Sequence, residues 1–365
     1  MNMNKDRVGL VLSGGGAKGA YQVGVIKYLA EAGIEIQAVS GASIGALNGS
    51  IIAGAINLKA AYQTLNDLWQ ALAKEPPLKL NGVGVGSYLA YFLLMGSSRF
   101  SPISRSVLLS AKTLKKTSEA LPKWVMAYIN ELNILNNIDF SLVQQSPIRA
   151  LIDRYTSPEV LTKGLPLYLS AYQTDGIIND LANTALGMLG ISDTKASRFF
   201  HVQSFSCDKQ QDVIFASAAL PVLFTPQNID GEAYSDGGLG GWRKSQGNTP
   251  ITPLVEQEKC SHVIVTHLTD GSSWDRNDFP NTTILEIRPK VSITKESQFK
   301  DLLSFKASKI NEWIDQGYDD AKRCIGQVKD VIVLQKTSQD AILKRNVGIE
   351  ELDDDFYIEP DRKTT

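Results

Sequence analysis

Two glycine-rich turns, Ser13–Gly19 and Gly41–Gly45, each follow an apolar run and open a helix-patterned stretch, and both precede Leu58. The first run, Val8-Gly9-Leu10-Val11-Leu12, is apolar throughout, as a strand buried on both faces of a parallel sheet must be. Tyr21, Val25, Ile26 and Leu29 recur at helical spacing between Ala20 and Ala32, and Gly33 follows as a stop residue. Ile34, Ile36 and Val39 predict a second strand, and Ile44 to Ile56 a second helix. The order β-α-β-α requires crossover connections and therefore a parallel sheet. The chain is expected to be α/β, with a central, mostly parallel sheet sandwiched by helices.

Strand patterns resume at Leu167 to Ala171, Val213-Ile214-Phe215, His262 to Leu268 and Thr283 to Ile287. Before them, about 58–165 reads as a helical insertion over the active-site end of the sheet. It includes Ala60 to Ala73 and Pro122 to Leu135, and is broken by Pro76-Pro77 and by Gly82, Gly84 and Gly86. An amphipathic helix over Phe299 to Ile325 closes the domain, expected to span 1–330. The remainder, 331–365, is a polar extension with an acidic run (Glu350, Glu351, Asp353, Asp354, Asp355) that reads as solvated.

A formal net charge of −2 argues against a nucleic-acid polymer as partner. Cys207, Cys260 and Cys324 are too far apart for a zinc knuckle or a disulfide framework, so no metal is expected and a reducing, cytoplasmic setting fits best. Met1 to Arg7 lacks the pattern of a signal peptide. The apolar stretch Val83 to Met95 is shorter than the ~18 residues of a membrane span. Its cluster of Tyr88, Leu89, Tyr91, Phe92, Leu93 and Leu94, with Lys112, Lys115, Lys116, Lys123 and Trp124 beyond it, is suited to a membrane surface. The same residues would equally serve as core beside a solvated face.

Gly41-Ala42-Ser43-Ile44-Gly45 has the G-x-S-x-G form of a nucleophile elbow. The turn is tight, so the positions two before and two after the serine have no room for side chains, and the serine sits at a helix N-terminus that favours negative charge. An ordinary glycine-rich helix start would look the same over five residues. The earlier loop, Ser13 to Gly19, has three readings. A Walker A loop fails, because Ala20-Tyr21 stands where Lys-Ser/Thr is needed. A dinucleotide fingerprint fits the spacing Gly14-x-Gly16-x-x-Gly19, with Glu35 near the place of a ribose ligand. An oxyanion hole built from the N–H groups of Gly14, Gly15, Gly16, Ala17, Lys18 and Gly19 fits as well. The elbow directly after the second strand favours this last reading.

A serine hydroxyl needs a base. Ser43, Asp236 and His267 have the chain order of an α/β-hydrolase triad, but the elbow comes too early for that fold. Asp236, followed by Gly237 and Gly238, could instead act on the serine directly if burial raised its pKa.

Taken together, the glycine loop, the elbow and the late Asp-Gly-Gly resemble the patatin-like phospholipases from about Val8 to Asn248. The resemblance implies a Ser43–Asp236 dyad without histidine, an oxyanion loop at Gly14 to Gly19, and hydrolysis of phospholipid acyl esters without metal or other cofactor. It implies a membrane phospholipid partner at the inner face of the cell membrane. A subset of bacterial relatives, switched on by a cyclic nucleotide in antiphage defence, supplies the expectation of a cyclic dinucleotide activator. One departure stands out: Leu239 to Gly247 separates Asp-Gly-Gly from Asn248-Thr249-Pro250, which in the family lie close together. The lip of the site, and with it head-group preference, is where this chain should differ.

Overall fold

The computed structural model describes residues 7–75, 146–175, 180, 194–218, 226–241, 246–268, 274–294 and 305–326. Eight strands form one sheet: β1 (Val8–Leu12), β2 (Ala38–Gly41), β3 (Leu167–Gln173), β4 (Arg198–His201), β5 (Gln227–Ile229), β6 (Glu232–Asp236), β7 (His262–Thr266) and β8 (Thr283–Ile287). Their order is β5-β6-β3-β2-β1-β7-β8, and β4 pairs with β3 off this path, where Ala171 meets Arg198 of β4 as well as Asp236 of β6. The strands β3, β2, β1, β7 and β8 are parallel, while β4, β5 and β6 are antiparallel to their neighbours. The expected α/β fold, with a mostly parallel sheet flanked by helices, is what forms.

Three helices pack together on one face: α1 (Ala20–Glu31), α2 (Ile44–Gly54) and α3 (Leu58–Lys74). Alternation decides the faces, because Leu12, Val39 and Leu167 reach toward Gly49 of α2 while Val11, Ala38, Val263 and Val265 join the opposite cluster. That second cluster also takes Ile251 and Leu254, Trp274 and Phe279. Helix α1 ends where expected: Gly33 has φ 69°, and Ile34 N–H returns to Leu29 O at 3.0 Å, a left-handed cap that glycine adopts without steric cost. In α3 the buried residues Ala61, Leu65, Leu68, Trp69 and Leu72 follow helical spacing. The Asn57 side chain caps its N-terminus through Ala60 N–H at 2.9 Å.

The remaining described helices are α4 (Ser146–Tyr155), α5 (Pro158–Thr162), α6 (Cys207–Ala218) and α7 (Thr252–Glu256), with α8 over 307–321. Val213-Ile214-Phe215, expected as a strand, lies within α6. The run is apolar at every position, so period alone cannot separate strand from helix. The run is buried throughout, Val213 to Ser217, inside a helix that begins at Cys207. Strands β4 and β5, only four and three residues long, carry no periodic signal and were not expected. Strand β2 starts at Ala38 rather than Ile34. The expected cluster at 83–124, the helix Pro122 to Leu135 and the acidic run at 350–355 lie outside the described residues.

The chain divides into two compact units, Met1–Ala321 and Lys322–Thr365. Residues 322–326, those described of the second, are helical.

Candidate active site

Both glycine turns emerge at the carboxyl edge of the parallel strands, where open α/β sheets place their ligands. Gly41 pairs with Leu169 across β2 and β3, and Ala171 pairs with Asp236 across β3 and β6. Ser43, two residues past Gly41, therefore stands level with Asp236 along β3. The serine has φ 54° and ψ −125° and is 5 % exposed, a strained backbone that persists only where surrounding packing over-determines it. A Cβ on Gly41 would overlap the backbone of Gly45, and one on Gly45 would overlap the carbonyl of Leu12. Both flanking glycines are thus required by close approach.

Asp236 ends β6 and caps the short turn Gly237–Leu239, with Oδ1 accepting Gly238 N–H at 2.8 Å. Burial pushes its carboxyl up from 3.8 to about 6, against the opposing pull of the Ser43 hydroxyl and Gly238 N–H. Oδ2 is buried, with no hydrogen-bond partner among the described residues.

The glycine loop lies against the serine: a Cβ on Gly14 would sit 2.8 Å from Ser43 Cβ and 2.6 Å from Asn248 Oδ1. Gly14 N–H donates to Asn248 Oδ1 at 3.1 Å, so it is already engaged. Gly15 and Gly16 N–H bond to none of the described residues, as expected of the first donors of the helical turn Gly16–Gly19. Ala17, Lys18 and Gly19 are buried in that turn. Lys18 is 3 % exposed, because the turn carries its side chain inward.

A buried amide network holds both ends of the loop. Gln22 Nε2 donates to Ser13 O at 2.8 Å, and Asn48 Nδ2 donates to Gly19 O at 3.1 Å and to Gln22 Oε1 at 2.8 Å. Trp69 Nε1 donates to Asn48 Oδ1 at 3.0 Å. Sequence reasoning missed these three residues; for Gln22 and Asn48 the local signal was a buried polar residue in a mostly apolar or small-residue helix.

His267 is not drawn to the serine. It sits at the end of β7, fully buried, with Nε2 3.0 Å from Glu286 Oε2. Burial lowers its pKa. Glu286 also accepts from Trp274 Nε1 and from Arg288, and is held down to about 2, first by the His267 hydrogen bond. Glu35, the ribose ligand of the dinucleotide reading, is exposed. Among the described residues no group of His, Cys, Asp and Glu converges as a metal site, and no helix is long and apolar enough to cross a membrane.

The long connection after Gly238 does not displace the asparagine segment. Gly241 N–H bonds to Lys195 O at 2.9 Å, and a Cβ on Gly247 would overlap the carbonyls of Gly237 and Gly240. Gly247 thus lies against the acid turn, and Asn248 against the glycine loop.

The raised carboxyl of Asp236 has two consequences of opposite sign. A carboxyl that serves as a base must be ionised, so any hydrolysis that depends on Asp236 is expected to rise with pH through about 6 and to be lost below it. Between 3.8 and 6 the folded chain holds a proton that the unfolded chain has released, so this group lowers stability as pH rises through that window. A rate profile with its acid limb near the ordinary carboxylate value would contradict the burial of Asp236.

Fold and site define the class: an α/β protein with a serine elbow, a glycine loop packed on it and a buried carboxylate level with the serine. Residues 10–254 match the patatin-like phospholipase family, and the chain belongs to it. A 46-residue segment is 65% identical to lysophospholipase nte1 of Aspergillus terreus, covering 13% of this chain and 3% of that protein. A 67-residue segment is 40% identical to neuropathy target esterase sws of Drosophila melanogaster, covering 18% and 5%. The chain thus matches only a small part of the length of these curated relatives. Among solved structures, VipD from Legionella pneumophila aligns with a TM-score of 0.42 at 18% identity, over 88% of this chain and 67% of that one.

Proposed function

We propose that this chain is a serine lipid acyl hydrolase of the phospholipase A or lysophospholipase type. The observation that carries the reading is Ser43 on its strained elbow, level with a buried Asp236 whose Oδ2 awaits a donor. Ser43 Oγ attacks the ester carbonyl while Asp236 takes the hydroxyl proton. The tetrahedral oxyanion accepts from Gly15 and Gly16 N–H, and collapse returns the proton to the departing lysolipid or glycerophosphate oxygen. This leaves an acyl ester on Ser43. Asp236 then deprotonates the water that attacks this ester, and Ser43 recovers its proton as the fatty acid leaves. Each step uses only groups that the chain supplies.

The names of the matched relatives, a lysophospholipase and a neuropathy target esterase, support acyl esters as substrates. Fatty-acid release from phosphatidylcholine and lysophosphatidylcholine vesicles, present in the wild type and absent in Ser43→Ala, tests the reading. The finer expectation, a cyclic-nucleotide switch in antiphage defence, is supported by the sequence resemblance. It is tested by adding cyclic dinucleotides to the same assay. Action at the inner face of the cell membrane is likewise part of the proposal.

The loop should act through its backbone. A Cβ on Gly15 would meet Leu268 side-chain atoms at 2.8 and 2.9 Å, and Gly16 has φ 57°, so alanine at either position displaces the donors. Turnover is expected to fall ~10²–10³-fold with KM nearly unchanged, the signature of donors that serve the developing oxyanion. Unchanged turnover together with NAD(P) binding would return the loop to the dinucleotide reading.

A further inference from the structure

We propose that Asn248 is a positioning residue that fixes the glycine loop against the acid turn. The inference rests on the function proposed above. Three successive glycines, Gly14 to Gly16, have more backbone freedom than any other run of residues, whereas oxyanion donors must be set before the reaction begins. The loop's two ends are secured by main-chain bonds, Ser13 N–H to Thr266 O at 3.2 Å and Lys18 N–H to Gly15 O at 3.3 Å. Among the described residues, the Gly14 N–H between them is held by Asn248 Oδ1.

That same oxygen lies 3.1 Å from where a Cβ on Gly238 would sit, as does Asp236 Oδ1. One side-chain carbonyl therefore bonds the loop and lies beside the acid turn. The next two residues extend the tie. Thr249 Oγ1 meets Ser13 Oγ at 3.3 Å, and Ser40 Oγ, on the strand that carries the elbow, donates to Pro250 O at 2.5 Å. With its carbonyl spent on Gly14, Asn248 aligns the following peptide planes and leaves Gly15 and Gly16 N–H for the substrate.

Asn248→Ala is expected to lower kcat ~10–100-fold with KM within about threefold, the cost of misplacing donors by about an ångström. Affinity for a fatty-acyl trifluoromethyl ketone, which forms a tetrahedral adduct with a serine, should fall by the same factor. The melting temperature should hold. A merely structural asparagine would not link ketone affinity to turnover. Asn248→Asp keeps the shape and the acceptor but places a second carboxylate beside Asp236, so the acid limb of the rate profile should move up. Wild-type turnover and ketone affinity in Asn248→Ala, or an unmoved acid limb in Asn248→Asp, overturns the proposal. If Asn248→Ala fails to fold, Asn248→Asp decides alone. Wild-type protein without Ser43-dependent hydrolysis removes both the function and this inference. Active wild type with an indifferent Asn248 removes only the inference.

Discussion

Ser43→Ala is expected to lower turnover by about four orders of magnitude with the fold intact, and Asp236→Asn by a comparable factor. The double variant should be little worse than either single one, because nucleophile and base act as a unit. Asp236→Asn is a fair test of the base, since an amide oxygen can still take Gly238 N–H, the bond that shapes the turn at 2.8 Å. The control is His267→Ala. Its ring pairs with Glu286 inside the protein, so its loss should show as reduced stability and only a small change in turnover. Fatty-acid release by the four variants, alongside thermal melts, makes the comparison. A His267→Ala loss equal to that of Ser43→Ala, with the fold intact, would restore a triad.

Gly24→Ala should be the most destabilising single methyl in the described core. Helix α1 crosses α8 at Gly24 and Gly317. A Cβ on the first would overlap the Ile314 carbonyl, and one on the second would overlap the Tyr21 carbonyl. Neither clash can be relieved by a rotamer, because backbone stands on the far side. The helices must separate, which would also strain Tyr21 OH to Asp320 Oδ2 at 3.2 Å. Overpacking against backbone is expected to cost about 3–5 kcal/mol in urea unfolding. Gly33→Ala is the matched control: nothing lies within 4 Å of its Cβ position, and its positive φ alone should cost about 1 kcal/mol. A Gly24→Ala protein as stable as the Gly33→Ala protein would mean the crossing is looser than described. The effect would reach the site too, since α1 begins at the glycine loop.

Much of this was legible locally because the decisive signals are local. A glycine that backbone contact demands, as at Gly41 and Gly45, marks its turn in any context. A β-α-β-α order forces parallel strands through the handedness of crossovers. Short apolar runs were ambiguous for an equally physical reason: Val213-Ile214-Phe215 is buried on whichever element carries it, and its neighbours decided for a helix. Edge strands such as β5 are too short for any period to register.

Sequence alone therefore determined the class of fold and the two glycine turns, and pointed to Ser43 and to the Asp236 before Gly237-Gly238, since each depends on residues adjacent in the chain. Only the tertiary structure decided how they meet. Register across β3 brings Asp236 level with Ser43, and burial of the assembled site raises its carboxyl to about 6. The folded connection returns Asn248 to Gly14 across the intervening chain, while Gln22, Asn48 and Trp69 close their amide network from three helices. Contacts of that kind are made between residues far apart in sequence, and only the packed sheet and helices bring their atoms within hydrogen-bonding reach.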